Sequence, residues 1–232
     1  MQADALGGAG DQHGIGRHLA FSTVKVKLGS HTTCLAALDH LMPSLLWCRC
    51  PVVELLGDSH PPAAKSAQRL AAQHLGSLLL GRFLGRPVAP DELKRDETGA
   101  PWHPEAKVSL SHSGAWVAAA VSDQLLGIDI EVPKSRRPLG AMADWLGWPQ
   151  QHFYRRWCAY EAAIKTWGRA VAPEQLLWGE KTVTAPGLAP LFLYNCSQSV
   201  PLVIASVTKL RPRWQSPILM KAECLIDCGV RG

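Results

Sequence analysis

No stretch of the 232-residue chain approaches the roughly 18–20 consecutive apolar residues that carry a helix across a bilayer. A membrane-spanning protein is therefore not expected. The chain also lacks any C-x-x-C pair. Its seven cysteines stand at 34, 48, 50, 158, 196, 224 and 228. The closely spaced pairs, Cys48 with Cys50 and Cys224 with Cys228, have no second Cys or His arm at zinc-finger spacing. Scattered free thiols are expected instead of a structural metal. The G-x-S-x-G elbow of serine hydrolases is missing as well, as are low-complexity tracts and short repeats. Residues 1–17 have no charged-then-apolar plan of the kind a signal peptide carries and read as a mobile leader, so a cytoplasmic location is expected. The formal charge of +5 is mild and dispersed. It is weak evidence for nucleic acid, which is not expected as a partner, and suits an acidic protein partner or a polyphosphate ligand equally well.

What is present divides into two comparable parts. Val24 to Leu28 alternates apolar and basic residues, as a half-exposed strand does. Thr33 to Trp47 has leucines at helical spacing (Leu35, Leu38, Leu41, Leu45), interrupted by Pro43, and residues 48–60 read as irregular. A long helix is expected from about Ala63 to Leu84, with Leu70, Leu75, Leu78, Leu79 and Leu80 on its buried face. Residues 85–101 form a polar connection, and Lys107 to Gly114 reads as a strand running into a tight turn. Residues 116–131 read as a β-hairpin, residues 132–148 as a loop with a short helical piece, and residues 150–169 as a second helix. Strands are expected at 180–184, 191–194, 200–207 and 218–226. This order gives an α+β protein of two similar subdomains, 18–115 and 116–232, each a small sheet packed on a long helix, with a ligand cleft between them.

The chemistry concentrates in the second part. Asp129 and Glu131 lie two apart on one strand, so both carboxylates leave by one face and Ile128 and Ile130 by the other. Phe153, Trp157, Glu161 and Lys165 recur every four residues on the helix and share a stripe. If that stripe faces the strand, three carboxylates and an ammonium converge. That density of carboxylate oxygens suits a hard divalent cation such as Mg²⁺ or Mn²⁺. The Ser-His-Ser-Gly turn at 111–114 can offer hydroxyls, an imidazole and backbone N–H groups to a phosphate, or can be purely structural. Lys65 and Arg69, one helical turn apart, are open to pointing at an anion or to being solvated. The run Lys134-Ser135-Arg136-Arg137 is either solvated charge or a contact for an acidic partner.

Taken together, the motifs resemble the 4′-phosphopantetheinyl transferases, most closely the longer, monomeric class that modifies carrier proteins. The family's G-I/V-D-I/V-E strand stands as Gly127-Ile128-Asp129-Ile130-Glu131. Its W-x-x-K-E-A/S-x-x-K helix stands as Trp157 to Lys165, with Tyr160 where the first Lys is usual. S-L-S-H-S-G is Ser109 to Gly114, and a Gly-Lys-Pro motif is matched loosely by Gly99-Ala100-Pro101. The resemblance covers residues 62–170 and implies a pseudo-twofold α+β fold in a monomer. It further implies Mg²⁺-dependent transfer of phosphopantetheine from coenzyme A to a serine of an acyl or peptidyl carrier protein. Asp129, Glu131 and Glu161 are then the expected metal ligands, with Glu161 as general base and Lys165 as transition-state cation. Coenzyme A is expected against Lys65 or Arg69, Arg95, Gly99, Pro101, Ser111, His112, Asp129 and Lys165. The loop with Arg136 and Arg137 is expected to meet the carrier protein. The departures at Tyr160 and Ala100 keep a non-catalytic coenzyme A or carrier-protein binder as the alternative.

Overall fold

The computed structural model describes residues 44–197 and 199–217. The expected leader at 1–17, the strands expected at 24–28 and 218–226, and most of the helix expected at 33–47 lie outside them. The described elements are β1 (Ser44–Pro51), α1 (Val52–Leu56), α2 (Lys65–Leu84), β2 (Lys94–Arg95), β3 (Pro101–Trp102), β4 (Lys107–Ser113), β5 (Trp116–Ser122) and β6 (Leu126–Ile130). They continue with α3 (Leu139–Leu146), α4 (Phe153–Trp167), β7 (Leu177–Trp178), β8 (Thr182–Thr184), β9 (Leu191–Ser197), β10 (Leu202–Ser206) and β11 (Arg211–Trp214). Helices and mainly antiparallel sheets thus make an α+β protein.

Two sheets carry the fold. The first has the order β11-β1-β5-β4 and the second β6-β10-β9-β8-β7. Their facing sides enclose one core, in which Leu45, Trp47, Ala118 and Ala120 meet Ile128, Ile130, Leu202 and Ile204. The outer face of the first sheet, with Cys48, Cys50, Val117, Ala119 and Val121, packs on Ala67, Ala71, Leu75 and Leu79 of α2. The outer face of the second sheet packs on Cys158, Ala159, Ala162 and Ala163 of α4. The layers therefore run helix, sheet, sheet, helix. Strands buried on both faces read as continuous apolar runs, and that is what W-V-A-A-A-V shows.

Two expectations change here. Residues 116–131 are not a hairpin: β5 pairs with β4 and β1, whereas β6 pairs with β10. The chain crosses from the first sheet to the second at residues 123–125. The reason is that β5 is needed as a central strand between β4 and β1. Residues 44–47, expected at the end of a helix, are strand β1, held between β5 and the parallel strand β11. The α2 helix is found as expected and ends at Gly85 with φ 68°. Leu70, however, is 48% exposed, because the alanines at 67, 71 and 72 take the inward positions.

Candidate functional site

The site begins with an unusually close approach of α4 to β6. A Cβ built on Gly127 would lie 2.1 Å from the carbonyl oxygen of Ala162 and 2.9 Å from Cβ of Lys165. Only a residue without a side chain admits the helix at that distance. The approach brings Lys165 onto the strand. Its Nζ donates to Asp129 Oδ1 at 2.7 Å and to the carbonyl of Ile128 at 2.9 Å.

The alternation expected of β6 holds. Ile128 and Ile130 enter the core between the sheets, and Asp129 and Glu131 leave by the other face. At its outer edge β6 has no strand partner among the described residues; the serines of β4 take its place. Ser109, Ser111 and Ser113, at every second residue of β4, accept from the N–H groups of Ile128, Ile130 and Val132 at 3.0, 3.3 and 3.0 Å. Ser111 also donates to Asp129 Oδ1 at 2.7 Å, and Ser113 donates to Glu131 Oε2 at 2.9 Å. Three hydroxyls thus stitch the two sheets together and aim two carboxylates. The Ser111 hydroxyl, expected at the coenzyme, is buried in this stitch.

Glu161 completes the carboxylate cluster. Burial pushes its pKa up, Asp129 and Glu131 push in the same direction, and the Lys165 ammonium opposes them. The three acids therefore lie within each other's field, which is how a hard-cation donor set looks before charge neutralisation. They are not assembled as a finished metal centre. Among the described residues no three His, Cys, Asp or Glu side chains stand in ligand geometry, since Lys165 and the serines take up Asp129 and Glu131. The donor set fits a divalent cation in chemistry, and Lys165 currently supplies the neutralising charge. Cys158, one turn before Glu161, is fully buried, and its thiol pKa is driven far up by burial and then by Asp129 and Glu131. It acts as a packing residue, not a nucleophile.

Beside this cluster opens a cleft of about 720 Å³. Its walls are α2 (Arg69, Ala72), the β2–β3 turn (Arg95, Gly99, Ala100, Pro101), β4 (Val108, Leu110, His112) and the end of α4 (Ile164, Lys165, Gly168, Arg169). Arg69, Arg95, Lys165 and Arg169 bring four cationic side chains, and among the described residues no carboxylate lines the cleft. His112, half-buried, has its pKa lowered by burial first and then by Lys165 and Arg69. Of the residues singled out by sequence, Arg69, Arg95, Gly99, Pro101, His112 and Lys165 come together here. Lys65, one turn before Arg69, is exposed and does not line the cleft. The helix expected over 150–169 ends at Trp167, so Arg169, to which the sequence gave no role, lies past the closing Gly168 and lines the cleft from there.

No family model matches the chain. A curated Haemophilus influenzae protein named "Putative 4'-phosphopantetheinyl transferase" is 33% identical over 123 residues, a match that takes in 44% of this chain. This chain covers about half, 52%, of that relative's length. Over that stretch the chain is similar to that protein.

The structure places the two residues that depart from the resembled motifs. Tyr160, where a lysine is usual, sits in an aromatic cluster with ring centroids 6.0 Å from Trp148 and 5.9 Å from Trp157. Its hydroxyl donates to the carbonyl of Val171 at 2.8 Å. It thus fastens the chain after α4 and does not line the cleft. Ala100 does line it, in a turn held by Asp96, whose Oδ1 accepts from the N–H groups of Thr98 and Ala100 at 2.9 and 3.0 Å. Gly99 takes φ 83° in that turn, and Arg95 Nη1 donates to its carbonyl at 2.7 Å.

The basic loop divides likewise. Arg136 is exposed, whereas Arg137 turns inward: Nη2 lies 3.7 Å from Glu131 Oε1, and its guanidinium lies over the Tyr154 ring at 5.5 Å. Arg137 is engaged within the protein and so is not the free surface charge expected of a partner contact. Among the described residues no helix is long and apolar enough to cross a membrane.

Proposed function

We propose that the chain transfers 4′-phosphopantetheine from coenzyme A to a serine hydroxyl of an acyl or peptidyl carrier protein. The observation that carries this reading is a cleft lined by four cations and, among the described residues, no acid, which lies beside a cluster of three carboxylates and shares Lys165 with it. A polyanion suits the cationic end. The apolar lining from Ala72, Val108, Leu110 and Ile164 suits a flat heterocycle between the charges. On this reading the two sheet-and-helix halves are pseudo-twofold subdomains of one monomer, with the cleft between them.

In-line displacement at a phosphoryl centre is catalysed mainly by positioning and charge neutralisation. Asp129, Glu131 and Glu161 would hold Mg²⁺, which supplies neutralisation at the pyrophosphate. Glu161 would accept the serine proton as the new O–P bond forms, and its raised pKa suits a proton acceptor at neutral pH. As the bond to the departing phosphate breaks, Lys165 would move its ammonium from Asp129 to that oxygen and stabilise adenosine 3′,5′-bisphosphate as it leaves. Ser111 and Ser113 keep the two strand carboxylates aimed throughout.

Intact mass of a panel of apo carrier proteins, incubated with the protein, coenzyme A and Mg²⁺, tests the reading. One phosphopantetheine is expected on at least one carrier, and Asp129→Asn should lower the rate at least about 100-fold without unfolding the chain. Coenzyme A binding without transfer to any carrier favours the non-catalytic alternative.

A further inference from the structure

The two strand carboxylates are each held by a serine and a cation, but not equally firmly. Asp129 Oδ1 accepts from Ser111 and from Lys165 Nζ, both at 2.7 Å. Glu131 Oε2 accepts from Ser113 at 2.9 Å. Its other oxygen, Oε1, faces Arg137 Nη2 at 3.7 Å, a separation that leaves charge attraction without a hydrogen bond. The Arg137 side chain is only 21% exposed, and its Nη1 is buried with no hydrogen-bond partner among the described residues. A buried donor left unbonded costs stability, so this pair is not closed as tightly as its burial would favour.

The loop puts Arg137 there from two sides. Its N–H donates to the Lys134 carbonyl at 3.1 Å and closes a turn. That turn is seated on the start of α4, where the Tyr154 hydroxyl accepts from the N–H of Lys134 at 3.0 Å and the Tyr154 ring lies under the Arg137 guanidinium. Lys134 and Arg136 stay exposed, so Arg137 is the cation that the turn sends inward. A carboxylate that ligates a hard cation offers it an oxygen, and Oε1 is the oxygen of Glu131 without a hydrogen bond. A divalent cation at Oε1 and a guanidinium beside it repel each other strongly in a half-buried site. Glu131 therefore cannot serve both at once.

We propose that Arg137 is a positioning residue for the cation site, one that neutralises Glu131 before a divalent cation is bound and gives way when one takes Oε1. Arg137 thereby keeps the carboxylate cluster together without metal and weakens the site's hold on metal. The proposal rests on the reading of Asp129, Glu131 and Glu161 as metal ligands.

Binding of Mn²⁺ to the whole chain, followed by loss of the free ion's paramagnetic resonance signal with and without coenzyme A, tests it. Arg137→Ala should bind Mn²⁺ about fivefold more tightly than wild type, and Arg137→Lys, which keeps the charge, should stay within about twofold of wild type. If Arg137→Ala does not fold, Arg137→Met, which keeps the aliphatic stem against Tyr154, carries the same expectation. A side chain that only supported the fold would not tighten metal binding when removed. Unchanged or weaker binding by the folded uncharged variant, or equally tightened binding by Arg137→Lys, overturns the role of Arg137 and leaves the metal reading standing. Failure of wild type to bind Mn²⁺ in either condition overturns both.

Discussion

The two long helices do similar structural work by different means. On α2 the inward face mixes alanines with Leu75 and Leu79, both fully buried against the first sheet. On α4 the inward face is small, with Ala159, Ala162 and Ala163 against the second sheet. Leucines hold a helix away from its sheet, whereas alanines opposite Gly127 let backbone meet backbone. The catalytic candidates sit on the closer pair, and the reason is reach. A lysine starting from a helix already in contact with β6 can bond both Asp129 and a strand carbonyl, as Lys165 does. The α2 contact supplies hydrophobic burial and one arginine to the cleft.

Three changes test that contrast. The largest effect is expected from Gly127→Val, because the obstructing atom is the Ala162 carbonyl and can move only with the helix. Denaturant unfolding should show a loss of about 3 kcal/mol or more, and, on the coenzyme A reading proposed above, any folded fraction should bind coenzyme A more weakly than wild type. Leu75→Ala should also destabilise, by about 3 kcal/mol, but the folded protein should keep its coenzyme A affinity. If Leu75→Ala damaged binding and Gly127→Val did not, the division of labour between the helices would be reversed.

The smallest effect concerns His112, which faces both helices through Lys165 and Arg69. Its folded pKa lies below the ordinary 6.5, so the unfolded chain binds its proton more readily. The associated stability is therefore complete above the unfolded value and is lost as pH falls through the folded one. Unfolding of wild type and His112→Gln, compared between about pH 7 and pH 5, should show wild type losing more. For a half-buried group the difference is under about 1 kcal/mol, and identical pH profiles would remove the imidazole from the cationic cluster.

The sequence made the local features plain. The α2 helix, the β4 strand, the alternation of β6 and the stripe on α4 all follow from periods within one element. Pairings between distant segments did not show. β1 looked helical because Leu35, Leu38, Leu41 and Leu45 fit a helical period, and its own residues are buried on both faces, which erases alternation. The 116–131 stretch looked like a hairpin because its strands are adjacent in sequence, yet each pairs with a strand that comes from elsewhere. In the site, Lys165 and Asp129 were legible together from spacing. The serines were read as phosphate donors, because nothing local reveals that β6 lacks a strand partner at its outer edge among the described residues. Arg169 needed the turn at Gly168 to bring it into view.

One pairing has a consequence in time. β11 joins β1 in parallel, Ser44 to Trp47 against Arg211 to Trp214, so the first sheet is sewn together by residues more than 160 positions apart. During synthesis that sheet must wait, with one side of β1 uncovered, until residue 214 has left the ribosome. Contacts of such sequence separation slow folding and leave strand edges open to wrong partners. A protein built this way depends on its last described strand to finish the sheet of its first described one.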